Sequence, residues 1–142
     1  QRPLEDRGEP RLHPIEDRPP LEEPDERYPL RVIPRGFHYQ YGIGTAGKRA
    51  EGLAKVLPDT CIELHPEDAK KAGLQDGDAV RVISPRGGVE TVCRISEGLP
   101  EGTAYFAVTF FDSLLNDLLV PGQEGSGGRP DYKLFVARVE KQ

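Results

Sequence analysis

Residues 61–95 read CIELHPEDAKKAGLQDGDAVRVISPRGGVETVCRI, and this stretch decides the fold. Short hydrophobic runs at 61–64, 79–84 and 89–95 predict three strands, because their pattern suits a sheet with one buried face. Residues 85–88 are Pro-Arg-Gly-Gly, a composition typical of a tight connection, so the last two strands are predicted to form a hairpin. These residues alone indicate a fold rich in β-structure.

A short helix is predicted between the first two of these strands, at residues 66–72. Pro66 and two acids stand at its start and two lysines at its end, an order that complements the helix dipole. Gly73 is a typical C-terminal stop. The Asp-Gly-Asp run at 76–78 then predicts a turn.

Three further strands are predicted at 30–33, 105–111 and 134–139. The run at 105–111 is apolar on both faces, which is typical of a central, buried strand, and residues 100–102 predict a turn before it. Six short strands with one or two short helices indicate a mainly β, compact barrel, because a doubly wound sheet would need several long helices. A length of 142 residues allows one such domain, which we place at 29–142.

Residues 1–28 differ in composition from the rest of the chain. They contain six of the 14 prolines and nine acids against five arginines, which leaves too little apolar surface to form a core. We therefore predict an extended, acidic arm that either lies along a partner or serves as a linker. The whole chain has a net charge of -5, which argues against general nucleic-acid binding, and no apolar run is long enough to cross a membrane.

The chain offers few residues for metal binding or covalent catalysis. Cys61 and Cys93 are far apart and form no metal-ligand pair, so both are predicted to be reduced core residues, although their spacing leaves a disulfide open. His13, His38 and His65 share no metal-binding motif. We predict no catalytic residue and no metal ligand in this chain, and a cytoplasmic location.

A glycine-rich loop at 42–49, GIGTAGKR, is the stretch best suited to hold a phosphate. It satisfies the dinucleotide pattern Gly-x-Gly-x-x-Gly, but Pro34 and Gly36 are expected to interrupt the strand that this pattern requires before it. It also begins like a P-loop, but Arg49 stands where a hydroxyl must reach magnesium. Neither motif is therefore predicted to be functional.

The same loop still carries suitable chemistry for a pyrophosphate. Glycine backbones approach a ligand closely and let successive N–H groups point at one anion. Thr45 adds a hydroxyl, and Lys48 and Arg49 add two cations. Tyr39 and Tyr41 either flank a ring system or form one face of a strand.

Taken in order, these segments resemble a known domain. The similarity covers about residues 29–139 and rests on Tyr-Pro-Leu at 28–30, the loop at 39–53, Ile-Glu-Leu-His-Pro-Glu-Asp-Ala at 62–69, the stretch 73–82, and Pro-Asp-Tyr-Lys at 130–133. They resemble the C-terminal molybdopterin-dinucleotide-binding domain of the DMSO reductase and formate dehydrogenase family of molybdenum and tungsten oxidoreductases.

This resemblance implies a six-stranded double-psi β-barrel whose loops bind molybdopterin guanine dinucleotide. It also implies a partner, a large catalytic molybdopterin subunit or domain that holds the metal and iron-sulfur clusters. Residues expected at the cofactor by this resemblance are Arg35, Gly36, His38, Tyr39, Gln40, Gly42, Gly44, Thr45, Lys48, Arg49, Asn116 and Lys133.

The sequence departs from the family pattern within that loop. Pro34-Arg35-Gly36 stands where most members carry Thr-Gly-Arg, Gln40 where a histidine is common, and Ile43 where a first threonine is usual. His65 replaces an asparagine that would cap the helix better. These changes keep an alternative open, a barrel that has lost the cofactor and acts as a structural or protein-interaction module.

Overall fold

The computed structural model describes residues 20, 22–36, 51–54, 60–107, 118 and 134–142. Their elements run in chain order β1 (Leu30–Arg35), α1 (Glu51–Ala54), β2 (Cys61–Leu64), α2 (Pro66–Lys71), β3 (Ala79–Ile83), β4 (Gly88–Ile95), β5 (Thr103–Ala107) and β6 (Phe135–Lys141). The mainly β, six-stranded barrel expected from the sequence is confirmed.

The six strands close on themselves in the order β1-β5-β2-β4-β3-β6. Four neighbouring pairs are antiparallel, whereas β1 with β5 and β2 with β4 are parallel. Parallel neighbours cannot be joined by a hairpin, so the chain crosses over between them. Because the sheet is closed, each of the six strands has a hydrogen-bonded neighbour on both sides over at least part of its length.

Inward-facing side chains from all six strands fill the barrel. Val32, Ile62, Val82 and Phe106 are fully buried, and the core also contains Leu118. Each fully buried aliphatic or aromatic side chain contributes roughly 1.5 to 3 kcal/mol relative to an exposed one. The predicted core thiols are confirmed, because Cys61 and Cys93 are both buried and neither forms a disulfide.

The local predictions for residues 65–78 are confirmed. The α2 helix begins at Pro66, with the Nδ1 atom of His65 accepting a hydrogen bond from the backbone N–H of Glu67 at 3.2 Å. The helix ends before Gly73, whose φ of +67° is a left-handed conformation suited to glycine. Gly77, with a φ of +87°, forms the predicted turn into β3.

The hairpin of β3 and β4 is also confirmed, and the backbone N–H of Ser84 donates to the carbonyl of Gly87 at 2.8 Å across the turn. One expectation is wrong. Pro34 does not interrupt β1, which continues to Arg35 with Pro34 opposite Phe106 of β5. β6 begins with Phe135 opposite Val32, so the β1–β6 pairing does not extend to Pro34. The N–H group that proline lacks therefore removes no hydrogen bond between β1 and β6.

Candidate functional site

Several strand termini lie together at one end of the barrel, and the predicted cofactor-binding segments continue from these termini in sequence. Here β1 ends at Arg35 opposite Ala107, the last residue of β5, and Ala107 also faces Cys61, the first residue of β2. The start of β6, Phe135, lies beside Val32 of β1. We call this end, with the β3–β4 turn at 84–87, the loop end.

The loop end is where four segments outside the described residues connect to the barrel. Segment 37–50 follows β1, 55–59 precedes β2, 108–117 follows β5 and 119–133 precedes β6. Of the twelve predicted cofactor-binding residues, the structure describes Arg35 and Gly36, both at this end. The others lie outside the described residues, namely His38, Tyr39, Gln40, Gly42, Gly44, Thr45, Lys48, Arg49, Asn116 and Lys133.

Arg35 lies over two neighbouring strands at the loop end. Its Cζ atom is 5.8 Å from the centre of the Tyr105 ring on β5, and its Nη1 atom is 3.4 Å from Oε2 of Glu63 on β2. The Arg35 side chain is 49% exposed and Glu63 is 20% exposed, so the guanidinium is oriented by both neighbours and still reaches solvent. A guanidinium so placed suits an anionic group held by the adjoining loop.

A second arginine at the loop end, Arg86, was not singled out by the sequence as functional. Its Nε and Nη2 atoms donate to the carbonyl of Leu118 at 3.0 and 2.9 Å. Nη1 and Nη2 also donate to the two carboxylate oxygens of Glu22. The hydrogen bond from Arg86 is the main reason that the pKa of Glu22 is lowered. Burial raises this pKa, and a hydrogen bond from the backbone N–H of Val136 lowers it further.

Glu63, Tyr105 and Arg86 are the residues that the sequence did not assign to the site. The sequence signal for Glu63 and Tyr105 was the alternation of inward- and outward-facing side chains along β2 and β5. This alternation turns both residues away from the core. Their contact with Arg35 depends on the pairing register of β1, β5 and β2, which local patterns do not specify.

A cleft among the described residues lies at the opposite end of the barrel, beside α2. It has a volume of about 540 Å³, and Leu64, Asp68, Lys71, Glu101 and Arg138 are among its lining residues. Lys71 already forms an ion pair with Glu101, and the Asp68 carboxylate accepts from the Gly102 N–H at 2.6 Å. Lys71, Glu101 and Asp68 are thus paired within the protein, and the loop end is kept as the candidate functional site.

The described residues contain neither a metal cluster nor a membrane helix. No group of three or more histidine, cysteine or acidic side chains in these ranges is placed to bind a metal ion. Among the described helices, none is long and apolar enough to span a membrane.

The barrel and its loop end define a cofactor-binding domain, and comparison with known families identifies which. The model of the "Molydopterin dinucleotide binding domain" family matches residues 30–136. The chain belongs to this family, and the resemblance read from the sequence is confirmed. Its function is therefore that of a molybdopterin-dinucleotide-binding domain, and the alternative of a barrel without the cofactor is not favoured.

Curated relatives agree with this membership. The chain is 30% identical over 122 residues to F420-dependent formate dehydrogenase 1 subunit alpha of Methanococcus maripaludis, covering 86% of this chain and 18% of that protein. It is 33% identical over 122 residues to the periplasmic nitrate reductase of Desulfovibrio desulfuricans, covering 84% of this chain and 16% of the relative. The chain thus spans less than a fifth of the length of these two relatives.

A solved structure shows the same fold. Acetylene hydratase from Pelobacter acetylenicus superposes with a TM-score of 0.65 at 18% sequence identity, over 81% of this chain and 18% of that one. At this identity the likeness concerns the fold alone. In both curated relatives and in this structure, the matching part is a domain of a much longer chain.

Proposed function

We propose that this chain holds the dinucleotide part of molybdopterin guanine dinucleotide at the loop end, within a formate-dehydrogenase-like molybdenum or tungsten oxidoreductase. The metal ligands, the substrate pocket and the iron-sulfur clusters would belong to a large catalytic subunit or domain. When bound, the cofactor supplies the metal and its redox chemistry. The residues of this chain bind and orient the cofactor, and none of them makes or breaks a bond.

One observation carries this proposal: the segments bearing every predicted ligand join the barrel at the same end. Strand register brings together the end of β1, the end of β5 and the start of β6. Segment 37–50 starts two residues after the end of β1, Asn116 lies nine residues after the end of β5, and Lys133 lies two residues before the start of β6. The strand ends from which these widely separated parts of the chain continue therefore lie at one end of the barrel, and this common end supports the proposal.

The chemistry of the donor set fits a dinucleotide tail. Gly42, Gly44 and Thr45 offer backbone and hydroxyl donors, and Lys48 and Arg49 offer charge. Arg35 adds a half-exposed guanidinium at the base of this segment. Each charge-assisted hydrogen bond to a phosphate contributes on the order of 1.5 to 3 kcal/mol, so a few of them retain the cofactor tightly.

The proposal is tested by measuring the cofactor content of the native complex that contains this chain. Acid hydrolysis followed by chromatography quantifies guanosine monophosphate, and elemental analysis quantifies molybdenum and tungsten. We expect the Lys48→Ala/Arg49→Ala variant to lose most of its guanine nucleotide, and Arg35→Ala to lose part of it. Lys71→Ala, at the opposite end of the barrel, is the matched control and is expected to keep it.

Two results would contradict the proposal. One is a wild-type complex without guanine nucleotide, and the other is equal nucleotide loss in Lys71→Ala and in the loop variants. The cytoplasmic location stays a prediction, which fractionation of the source cells would test.

A further inference from the structure

The second half of β6 has a strand neighbour on one side only within the described part of the chain. On that side, residues 138–141 pair with β3. On the other side, the pairing of β6 with β1 stops at Ala137, which lies opposite Leu30, the first residue of β1. We call residues 138–141, on the side that β1 does not reach, the open edge.

The backbone of Val139 and Lys141 points to the open edge. The N–H of Gln142, just after β6, donates to the carbonyl of Ala79 on the β3 side at 3.1 Å. Backbone groups alternate in direction along an antiparallel strand, so those of residues 138 and 140 also point to β3. The N–H and C=O groups of Val139 and Lys141 point the opposite way, and together they offer two donors and two acceptors.

A turn formed by the arm keeps β1 from covering this edge. Oδ1 of Asp25 accepts hydrogen bonds from the backbone N–H groups of Arg27 and Tyr28 at 2.9 and 2.7 Å. The N–H of Asp25 donates in turn to the carbonyl of Tyr28 at 3.2 Å. Tyr28 would lie opposite Val139 if β1 continued backwards, but its backbone groups are used within this turn. The fold therefore maintains the open edge.

The open edge borders the cleft beside α2. Val139 lines this cleft together with Leu30 and Leu64, and these three residues are at most 8% exposed. The charged side chains Lys71 and Glu101, which also line it, already pair with each other. Apolar surface and the backbone groups of β6 are therefore what the cleft offers to a ligand.

We propose that this cleft binds an extended segment of the large catalytic part of the oxidoreductase, which adds a short strand to β6 at the open edge. The inference rests on the proposed function, which supplies that partner. Alternating donors and acceptors along a strand edge are complemented by another extended backbone. The apolar lining favours an apolar side chain where the added strand faces the barrel.

The relatives show that a partner segment is available. This chain matches 18% and 16% of the length of the two curated relatives, so most of each relative lies outside the matching domain. Two donors and two acceptors make only a short contact. We therefore expect the added strand to be one contact within a larger interface, where each contact adds to the others.

The test measures hydrogen exchange at single amides of β6 in the native complex and in the 142-residue chain alone. We expect Val139 and Lys141 to exchange about tenfold more slowly in the complex, because their N–H groups gain hydrogen-bond partners there. The amides of Arg138 and Glu140 bond to β3 in both samples and are expected to stay slow. Their protection also verifies that β6 is folded in the chain alone.

A variant that fills the cleft makes the test specific. Ala72 is an exposed residue that lines the cleft at the end of α2. In Ala72→Trp, the difference in exchange between the complex and the chain alone is expected to vanish at Val139 and Lys141. Ala79→Trp adds the same side chain at an exposed position of β3 that does not line the cleft. It is the matched control and is expected to keep the difference.

Three outcomes would count against these proposals in different ways. Equal exchange of Val139 and Lys141 in the complex and in the chain alone, fast or slow, would overturn the docking edge. Protection that appears in the chain alone as its concentration rises would indicate a second copy and would overturn the choice of partner. A complex without guanine nucleotide would refute the proposed function, whereas these two amides would still decide whether β6 accepts a strand.

Discussion

Single residues at the loop end differ in how far sequence patterns reveal them. Arg35 and Gly36 are predicted from the sequence because they precede the glycine-rich loop and keep the arginine and glycine of the family's Thr-Gly-Arg, shifted by one place. Arg86 has neither property, since it lies within a turn whose composition signals only a hairpin. Its partners Glu22 and Leu118 are separated from it by 64 and 32 residues, and no local pattern predicts such contacts.

The Glu22 ion pair gives the protein a pH-dependent stability. The pKa of Glu22 lies below its ordinary value of 4.5, mainly because Arg86 donates to the ionised carboxylate. The pair therefore stabilises the fold fully above the unfolded pKa, and this contribution is lost as pH falls through the lower folded pKa. We predict that Glu22→Gln lowers the free energy of unfolding by about 1 to 2 kcal/mol at pH 7.

Urea denaturation of wild type and Glu22→Gln between pH 7 and pH 3 checks this prediction. The difference between them is expected to narrow at pH values below the ordinary pKa of Glu22. Glu97→Gln is the control, since Glu97 is exposed and makes no ion pair within the described ranges. A difference that stays constant over this pH range would contradict the prediction.

Cys93 is predicted to be chemically inert in the folded protein. Burial, followed by the nearby charges of Asp76 and Asp78, raises the pKa of its thiol to about 11. The thiol therefore stays protonated at pH 8, and thiolate is the reactive form. Iodoacetamide at pH 8 is expected to leave Cys93 unmodified by mass spectrometry until urea unfolds the chain. Rapid labelling of the native protein would show that the core is open there.

At the scale of elements, sequence and structure agree best where the signals are local. The α2 helix, its stop at Gly73 and the β3–β4 hairpin all follow from residues within a few positions of one another. Pro34 was misjudged because its effect depends on a distant strand. The missing N–H is tolerated because β6 begins opposite Val32, so among the described residues no β6 residue pairs with Pro34.

Gly73 offers a test of the helix stop. Its φ is +67°, and a methyl group added there would meet no atom of the described residues within 4 Å, so Gly73→Ala isolates backbone strain from steric clash. We predict a loss of about 1 kcal/mol in the free energy of unfolding by urea. Gly98→Ala is the matched control, because Gly98 lies outside the left-handed region and its added methyl would meet only Ser96 Oγ at 3.6 Å. Equal effects of the two changes would contradict the prediction.

At the scale of the whole molecule, composition and strand count predicted a barrel, and the family resemblance added its topology. The strand order β1-β5-β2-β4-β3-β6 includes two parallel pairs, and local patterns do not specify which strands become neighbours. That order brings the end of β1, the end of β5 and the start of β6 to one end of the barrel. Segments 37–50, 108–117 and 119–133 continue from these termini in sequence. Candidate ligands could be named from the sequence, whereas the shared end of the barrel from which their segments continue follows only from the strand order.

The most direct test of this account is hydrogen exchange by mass spectrometry on the complex with and without its cofactor. Removing the cofactor is expected to accelerate exchange in segments 37–50 and 108–133 and to leave residues 72–78 and 96–102, at the opposite end, unchanged. Faster exchange beside the Lys71 and Glu101 cleft, with no change at the loop end, would contradict the assignment.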